Sequence, residues 1–381
     1  MEEDVLQVDV LGAVDVQVDV EVAAVVVVAE VAEVDMMEQL PADITFQWHI
    51  TDQCNFRCSH CYQDSYTEPG ASYEDQLLIL EKLSAFVLAC KKVHGKVRAH
   101  INFTGGEPFV RKDFLKLLKA TKAKRLFSFA ILSNGYLLSD EGLSELKRLG
   151  PRFIQISLEG GRKTNDRIRG KGSYTKIISA IRTYRKFKIP VMLSFTANAV
   201  NYNEFGKVVK VGRKYGAFKV WTDRYLPSND SDELCLSTSQ VREFFEIIKK
   251  EQHKSKYYFF SKTQVSANRA LQFLVSGGHP YRCSAGRTLL AILPQGDIMP
   301  CRRLPITVGN ILKEDLVQLY LNNDILKDIR KPEVDEACTA CYYKNSCAGG
   351  LKCLSYAKSN NYKLKDPNCW IANKVQESRT V

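Results

Sequence analysis

The chain has 381 residues, of which 45% are hydrophobic and 25% are charged, a composition typical of a globular protein with one large domain or two. No run of about 18 uncharged apolar residues is present, which excludes a membrane-spanning helix at the level of the sequence. The first residues also lack the basic segment of a secretory signal peptide, so we expect a cytoplasmic protein with no membrane association.

The net charge of +11 is unevenly distributed. Residues 1–43 contain twelve acidic residues and no Lys or Arg, so the remainder carries 54 basic and 31 acidic residues, a net +23. Such a basic body favours an acidic partner, or it is simply a solvated surface rich in lysine. An acidic peptide and a nucleic acid both fit this charge, but nucleic acid is the less favoured partner because no RNA-binding module is recognisable.

Residues 1–43 form an acidic, valine-rich segment of low complexity. Valine alternates with acid or amide over Val14–Val22, and four valines follow at Val25–Val28. Three interpretations remain open: an edge strand, a disordered tail, and a segment that precedes a true start at Met36 or Met37.

Strands and helices alternate from residue 44 to residue 222. The first predicted strand is Ile44–Thr51, and the first predicted helix begins at Ser72 and ends before Gly95. The other predicted strands are Val97–Phe103, Leu126–Leu132, Phe153–Leu158, Pro190–Ala197 and Phe218–Thr222, and the other predicted helices are Arg111–Lys122, Glu141–Leu149, Tyr174–Phe187 and Glu204–Tyr215. This alternation predicts a parallel sheet whose strands all end at one rim.

Three cysteines directly follow the first predicted strand. Cys54, Cys58 and Cys61 are separated by three and two residues, so one short loop brings three sulfurs to one face. A [4Fe–4S] cluster normally takes four thiolates, and three would leave one iron open for a ligand. A zinc site with a distant fourth ligand and a chance grouping both remain open at this point.

A glycine-rich turn follows the second predicted strand. Gly105 and Gly106 predict a close approach of the backbone to a ligand, and Glu107 can accept hydrogen bonds from an ammonium group. A Gly-Gly turn after a strand is common, so the turn alone is weak evidence for a site.

Seven further cysteines lie near the C-terminus at spacings typical of metal ligands rather than disulfides. They are Cys283, Cys301, Cys338, Cys341, Cys347, Cys353 and Cys369. Zinc is the alternative to iron and sulfide here. Cys90 and Cys235 lie outside both groups and are interpreted as non-ligands.

The three-cysteine spacing, with His60 before the last cysteine, together with the Gly-Gly-Glu-Pro run at 105–108, resembles the signature of radical S-adenosylmethionine (radical SAM) enzymes. The resemblance implies a partial (β/α)6 TIM-like barrel. It also implies that S-adenosylmethionine chelates the open iron and is split by one electron to a 5′-deoxyadenosyl radical, which abstracts hydrogen from the substrate. A non-catalytic iron–sulfur or zinc scaffold would need neither motif.

The resemblance also implies contacts to S-adenosylmethionine. The Gly105–Glu107 turn would bind its amino group, Ser157 and Arg169 its carboxylate, and Ser133 and Asn134 would lie near the ribose. His60 and Tyr62 would flank the adenine or pack the cysteine loop. Glu159 stands where the family usually has Asp, and no catalytic residue is assigned.

The C-terminal cysteines resemble the SPASM domain, which holds two auxiliary [4Fe–4S] clusters. By this resemblance the first auxiliary site takes Cys283, Cys301 and Cys353, and the second takes Cys338, Cys341, Cys347 and Cys369. The chain departs from the pattern because five residues, not three, separate Cys347 from Cys353. The first set lacks a fourth ligand, which leaves an open iron or a ligand of another type.

We therefore predict four parts: the tail (1–43), the barrel (44–235), a helical connector (236–282) and the SPASM domain (283–381).

The resemblance implies a peptide maturase that acts on a ribosomal precursor peptide with an acidic leader, and an electron donor such as flavodoxin or ferredoxin. The expected product is a thioether or C–C crosslink or an epimerised residue. Haem or cofactor biosynthesis is one alternative. Formylglycine formation is another, but enzymes of that kind carry Asp where this chain has Arg302.

Overall fold

The computed structural model describes residues 37–63, 65–136, 138–227, 232–257, 262–267, 269–331 and 333–371. Most of the predicted acidic tail, residues 1–36, and the last ten residues of the predicted SPASM domain lie outside the described residues. None of the helices in the described ranges is both long enough and apolar enough to cross a membrane.

The strands and helices follow the predicted alternation through residue 224. The strands are β1 (Asp43–His49), β2 (Arg98–Thr104), β3 (Phe127–Ser133), β4 (Ile154–Ser157), β5 (Val191–Ala197), β6 (Lys219–Arg224), β7 (Gln264–Ser266), β8 (Leu289–Ile292), β9 (Asp297–Met299) and β10 (Gly309–Asn310). The helices are α1 (Tyr73–His94), α2 (Phe114–Ala123), α3 (Asp140–Leu149), α4 (Arg162–Arg169), α5 (Ser173–Lys186), α6 (Phe205–Tyr215), α7 (Thr238–Tyr257), α8 (Phe273–Ser276), α9 (Leu316–Asn322), α10 (Asp324–Arg330), α11 (Lys344–Cys347) and α12 (Lys352–Ser359). Short 3₁₀ turns lie at Pro108–Val110, Tyr202–Glu204 and Glu336–Cys338.

One ten-stranded sheet organises the described chain, in the order β10-β9-β8-β1-β2-β3-β4-β5-β6-β7. Every neighbouring pair from β1 to β7 is parallel, with helices between successive strands. The predicted partial (β/α)6 barrel is confirmed. Because the strands are parallel, their carboxyl ends meet at one rim of the sheet.

Helix α1 begins and ends where the sequence predicts. The Ser72 hydroxyl accepts a hydrogen bond from the Asp75 amide at 3.0 Å, and Gly95 ends the helix with its own amide bonded to the Lys91 carbonyl. The capping hydroxyl satisfies one of the backbone donors left free in the first turn. Helix α4, by contrast, was not predicted, since its sequence has one buried apolar side chain, Ile168, and no apolar stripe.

The C-terminal region extends the barrel sheet and also packs on its helices. Strand β8 pairs in parallel with β1, and β9 folds back on β8 as a hairpin. On the helix side, the Tyr320 ring of α9 lies 5.4 Å from Phe86 of α1, and Lys82 of α1 donates to the Leu312 and Glu314 carbonyls. The segment predicted as a connector contributes α7 and β7 to the same body; the four-part division of the chain stays a prediction.

A buried ion pair joins the end of β6 to the loop between α12 and Cys369. Arg224 donates to both carboxylate oxygens of Asp366 at 3.0 and 2.5 Å, and the two side chains are 3% and 0% exposed. Asp366 also accepts from the Leu351 amide and donates its own amide to Gly349. This pair therefore fixes the cysteine-bearing loops around residues 347–369 to the barrel.

We expect Asp366→Asn to destabilise the protein, because it leaves the Arg224 guanidinium buried without a counter-charge. Removing one member of a buried pair costs about 3–5 kcal/mol of unfolding free energy. The measurement is the urea midpoint of the metal-free protein. The matched control is Asp43→Asn, which breaks the exposed Asp43–Arg98 pair and should leave the midpoint nearly unchanged. Equal shifts for the two variants would contradict the anchoring role.

Candidate cofactor-binding site

A cavity of about 250 Å³ lies at the carboxyl ends of the parallel strands, and we call it the rim cavity. Each strand from β1 to β6 contributes at least one lining residue. These residues include Gln47, Thr104, Ser133, Ser157, Ser194, Thr196, Trp221 and Asp223. Cys54, Cys58 and Cys61 all line the same cavity, so the structure places the three-cysteine loop at the rim, as predicted.

Backbone bonds hold the three-cysteine loop in place. The Cys61 amide donates to the Cys58 carbonyl at 3.1 Å, and the Ser59 amide donates to the Ile168 carbonyl of α4 at 2.9 Å. The Asn134 side chain lies 3.7 Å from the Cys54 sulfur and 2.7 Å from Asn55. The loop is thus tied both to α4 and to the end of β3.

The thiols of this loop lie close enough to influence one another. Burial raises the pKa of the Cys54 and Cys58 thiols, and the neighbouring cysteines raise it further, whereas Arg169 lowers the pKa of Cys58. Adjacent thiolates repel one another, and a positively charged metal centre would relieve that repulsion. The donor set therefore fits an iron–sulfur cluster with three protein ligands.

Gly105 and Gly106 are needed for a reason that the sequence did not indicate. A Cβ atom at Gly105 would lie 2.2 Å from the Thr51 carbonyl oxygen, and one at Gly106 would lie 2.2 Å from that of Gln53. Their missing side chains make room for the backbone that leads into the three-cysteine loop, and the expected approach of a ligand to the same turn stays a prediction. Both glycines nevertheless line the rim cavity.

Glu107 is fully buried behind the rim cavity and is not one of its lining residues. Its carboxylate accepts hydrogen bonds from the Ser133 hydroxyl at 3.0 Å and from the Asn134 amide at 2.7 Å. Burial raises the pKa of Glu107 to about 7, although these hydrogen bonds oppose the shift. In this structure Glu107 positions Ser133 and Asn134, which do line the cavity.

Glu159 lines the rim cavity and links the three-cysteine loop, α4 and β5. Its Oε1 lies 3.1 Å from Arg169 Nη1 and 3.4 Å from His60 Nε2, and its Oε2 accepts from the Thr196 amide at 2.9 Å. Burial alone would raise the pKa of Glu159, but His60 and Arg169 together bring it below its usual value. Sequence reasoning assigned no role to Glu159, because a single sequence does not show which cations face a carboxylate.

Two polar atoms at this wall are buried without a hydrogen-bond partner among the described residues. They are His60 Nδ1 and Arg169 Nε. Unsatisfied buried polar atoms are uncommon in folded proteins and mark places where a ligand or water binds. Both belong to residues that line the rim cavity, as do Ser157 and Tyr62.

A second, smaller cavity of about 30 Å³ lies among the C-terminal loops. The cysteines predicted for the second auxiliary site all line it: Cys338, Cys341, Cys347 and Cys369. Its other walls are mostly apolar, with Leu271, Phe273 and Leu274 from the α8 region. Burial, reinforced by neighbouring cysteines, raises the pKa of Cys347 to about 12.

The structure also brings together the three cysteines of the first auxiliary set. Burial raises the pKa of Cys353 to about 12, and both Cys283 and Cys301 add to this shift. The five residues before Cys353 form a turn through Ala348, Gly349 and Gly350, all with positive φ, which accommodates the longer spacing. The Cys301 thiol points to Gln47 Oε1 at 3.9 Å.

Two family models match the chain. The radical SAM superfamily model matches residues 48–210, and a model described as an iron–sulfur cluster-binding domain, SPASM, matches residues 283–342. The chain carries a radical SAM domain. This radical SAM protein carries a SPASM domain, and its cofactors are [4Fe–4S] clusters and S-adenosylmethionine.

Full-length relatives agree with that assignment. The AdoMet-dependent heme synthase of Methanosarcina barkeri is 24% identical over 340 residues, 84% of this chain and 95% of that protein. The mycofactocin maturase MftC of Mycolicibacterium smegmatis is 25% identical over 363 residues, 89% of this chain and 86% of that protein. Among solved structures, Streptococcus suis SuiB bound to the precursor peptide SuiA superposes with a TM-score of 0.68 at 15% identity, covering 96% of this chain and 84% of that one. The superposition shows a shared fold.

The assignment of individual ligands in this radical SAM protein stays a prediction, although the geometry groups the candidates as expected. Cys54, Cys58 and Cys61 share the rim cavity, and the two auxiliary sets form two separate groups. In the described ranges, no three His, Cys, Asp or Glu side chains are spaced to hold a single metal ion. Cys90 is buried within α1, away from these groups.

We expect the folded protein to lose stability through Glu107 as pH rises. The pKa of Glu107 is about 7 in the fold against an ordinary value of 4.5. As pH rises, Glu107 therefore loses its proton in the unfolded chain before it does so in the folded protein. The contribution of Glu107 to the free energy of unfolding is fully present below pH 4.5 and falls until about pH 7. The measurement is the difference in urea midpoint between wild type and Glu107→Gln, which should shrink between pH 5 and pH 7.

Ser133→Ala is the control for this titration. It removes a hydrogen bond to Glu107 but keeps the carboxyl group, so it should retain the fall in stability with pH. A wild-type protein whose midpoint relative to Glu107→Gln does not change over this range would contradict the buried, protonated state of Glu107.

Iron content tests the assignment of Cys353. Three [4Fe–4S] clusters would give about twelve iron atoms per chain after anaerobic reconstitution, since each cluster holds about four. Cys353→Ala should lose about four of them, and Cys90→Ala should lose none. Retention of the full iron content by Cys353→Ala would remove Cys353 from the ligand set.

Proposed function

We propose that this radical SAM enzyme modifies a ribosomally made precursor peptide by hydrogen abstraction. The proposal rests on one observation: residues of the three-cysteine loop and residues next to the first auxiliary set line the same rim cavity. The three cysteines of the N-terminal loop line it on one side, and Arg302 and Arg303, which directly follow Cys301 of the first auxiliary set, line it on another. A substrate in this cavity would lie between the two cofactor sites.

The relatives support a peptide rather than a free metabolite. The mycofactocin maturase is 25% identical over most of both chains, and the fold is shared with SuiB, a protein solved with its precursor peptide. We propose a thioether or C–C crosslink, or an epimerised residue, as the product. An open position at the first auxiliary site, which has three cysteines and not four, would suit a substrate thiolate.

The chain's own residues hold and orient the reactants. When bound, the N-terminal cluster and S-adenosylmethionine supply the radical that abstracts hydrogen. The three thiols anchor the cluster, and the unpartnered Arg169 Nε and His60 Nδ1 offer polar contacts at the cavity wall. Glu159 keeps both side chains in position.

The finer points of the proposal rest on charge and on the state of the cysteines. The basic excess of residues 44–381 suits an acidic leader on the peptide and an acidic electron donor such as flavodoxin or ferredoxin. None of the twelve cysteines, all of which the structure describes, forms a disulfide, which suits a reducing cytoplasm.

Haem biosynthesis is the second candidate, because a heme synthase is 24% identical over 84% of this chain. A porphyrin would need a closed apolar pocket. The rim cavity instead has charged side chains in its walls, including Arg169, Arg224, Arg302 and Asp223. We therefore favour the peptide.

Co-expression tests this function. The enzyme is produced with each short open reading frame that lies next to its gene, and the peptides are sequenced by mass spectrometry and checked for D-residues. We expect one peptide to be modified by wild type and by Cys90→Ala, and not by Cys58→Ala, which lacks a thiol of the N-terminal loop. Modification by Cys58→Ala, or turnover of a porphyrin with no peptide modified, would contradict the proposal.

A further inference from the structure

We propose that Arg302 binds a carboxylate of the substrate, either an acidic side chain or the C-terminal carboxylate of the peptide. This inference rests on the proposed function and names a feature of the substrate that the function alone does not specify. It is carried by the geometry of Arg302 at the rim cavity.

Arg302 lines the rim cavity between the two cofactor sites. Its guanidinium lies 4.8 Å from the centre of the Tyr62 ring, and Tyr62 directly follows Cys61. On its other side, Arg302 follows Cys301 of the first auxiliary set. A guanidinium stacked on an aromatic ring keeps its N–H groups, which point outward in the plane, free to bind an anion.

Arg302 has no hydrogen bond or ion pair with any residue that the structure describes; its contact is the Tyr62 ring. The other arginines that line the cavity are all paired. Arg169 pairs with Glu159 at 3.1 Å, Arg224 with Asp366 at 2.5 Å, and Arg303 with Asp223. Among the described residues that line the cavity, Arg302 is therefore the arginine without an anionic partner.

The imidazole of His49 and the carboxyl group of Asp52, on both of which the charge of Arg302 acts, do not supply that anion. His49 is buried, and burial, with a further contribution from the charge of Arg302, lowers the pKa of His49 to about 3, so His49 remains neutral. Asp52 is close enough for Arg302 to oppose the rise that burial causes in its pKa, but the two side chains form no ion pair. A partly buried, unpaired cation is stabilised by a ligand that brings the opposite charge.

A carboxylate is the anion that fits best. The planar guanidinium fork matches both oxygens of a carboxylate, and such charge-assisted bonds are about twice as strong as neutral ones. Arg302 contacts Tyr62, which follows Cys61, and itself follows Cys301, so a carboxylate bound to Arg302 would lie in the rim cavity beside both cysteine loops. The rival ligand is the carboxylate of S-adenosylmethionine itself, so the experiment separates the two.

The first measurement concerns S-adenosylmethionine alone. Arg302→Gln and Arg302→Lys are reconstituted anaerobically, and iron content, affinity for S-adenosylmethionine and peptide-free formation of 5′-deoxyadenosine with dithionite are compared with wild type. We expect all three to stay within about twofold. A loss of affinity for S-adenosylmethionine of about tenfold in Arg302→Gln would assign Arg302 to the cofactor and overturn the inference.

The second measurement uses synthetic peptides that differ in one group. The first is acetyl-Gly-Ala-Asp-Ala-Gly-amide, the second has Asn in place of Asp, and the third is the Asn peptide with a free C-terminal carboxylate. Binding to the enzyme loaded with S-adenosylmethionine is measured by saturation-transfer NMR. We expect wild type to bind one carboxylate peptide about tenfold or more tightly than the neutral peptide. The preferred peptide identifies the source of the carboxylate.

Arg302→Gln should abolish this preference, and Arg302→Lys, which keeps the charge but not the fork, should retain part of it. The matched control is Arg148→Gln, an exposed arginine in the last turn of α3, which should retain all of it. If Arg302→Gln loses iron, Arg302→Lys decides the question. A wild type without preference, or a preference that survives in Arg302→Gln, would overturn the inference. Either of these binding results would leave the outcome of the co-expression test unchanged. The carboxylate inference can therefore fail while the proposed peptide modification holds.

Discussion

The contact between two loops determines the geometry of the whole site. The Gly106 and Glu107 amides each donate at 2.8 Å to the backbone that leads into the three-cysteine loop, and the glycines let the two chains meet without side chains between them. Below this contact, the Glu107 carboxylate binds the end of β3. One turn thus sets the positions of the thiols and of Asn134 together, so a substitution at either glycine would displace both.

The auxiliary region is joined to the barrel by pairing and by charge rather than by a flexible linker. Strand β8 adds to the edge of the sheet beside β1, so the hairpin that precedes Cys301 is in register with the strand that precedes Cys54. Towards the other side of the sheet, Asp223 and Arg224 at the end of β6 pair with Arg303 and Asp366, respectively. Three of these four side chains are buried, and the loops that carry the predicted cofactor ligands are therefore held at fixed positions on the barrel.

Much of this arrangement could be predicted from the sequence because it depends on residues that are close together in the chain. Strand periodicity, the Ser72 cap, the Gly95 stop and the cysteine spacings each depend on a few neighbouring residues. What could not be predicted depends on distant partners. The role of Glu107 behind the cavity, the link that Glu159 makes between α4 and the cysteine loop, and the unpaired state of Arg302 all require knowing which side chains face one another. Strands β8 to β10 were missed because runs of two to four residues carry no clear period.

The central claim is that the three-cysteine loop holds a cluster with one iron open to S-adenosylmethionine. Electron paramagnetic resonance of the dithionite-reduced, reconstituted protein tests it most directly. A variant with Ala at Cys283, Cys301, Cys338 and Cys347 isolates the signal of the N-terminal cluster. We expect that signal to change when S-adenosylmethionine is added, since its amino and carboxylate groups would become ligands of the open iron. An iron–sulfur signal that stays the same with and without S-adenosylmethionine would contradict the account.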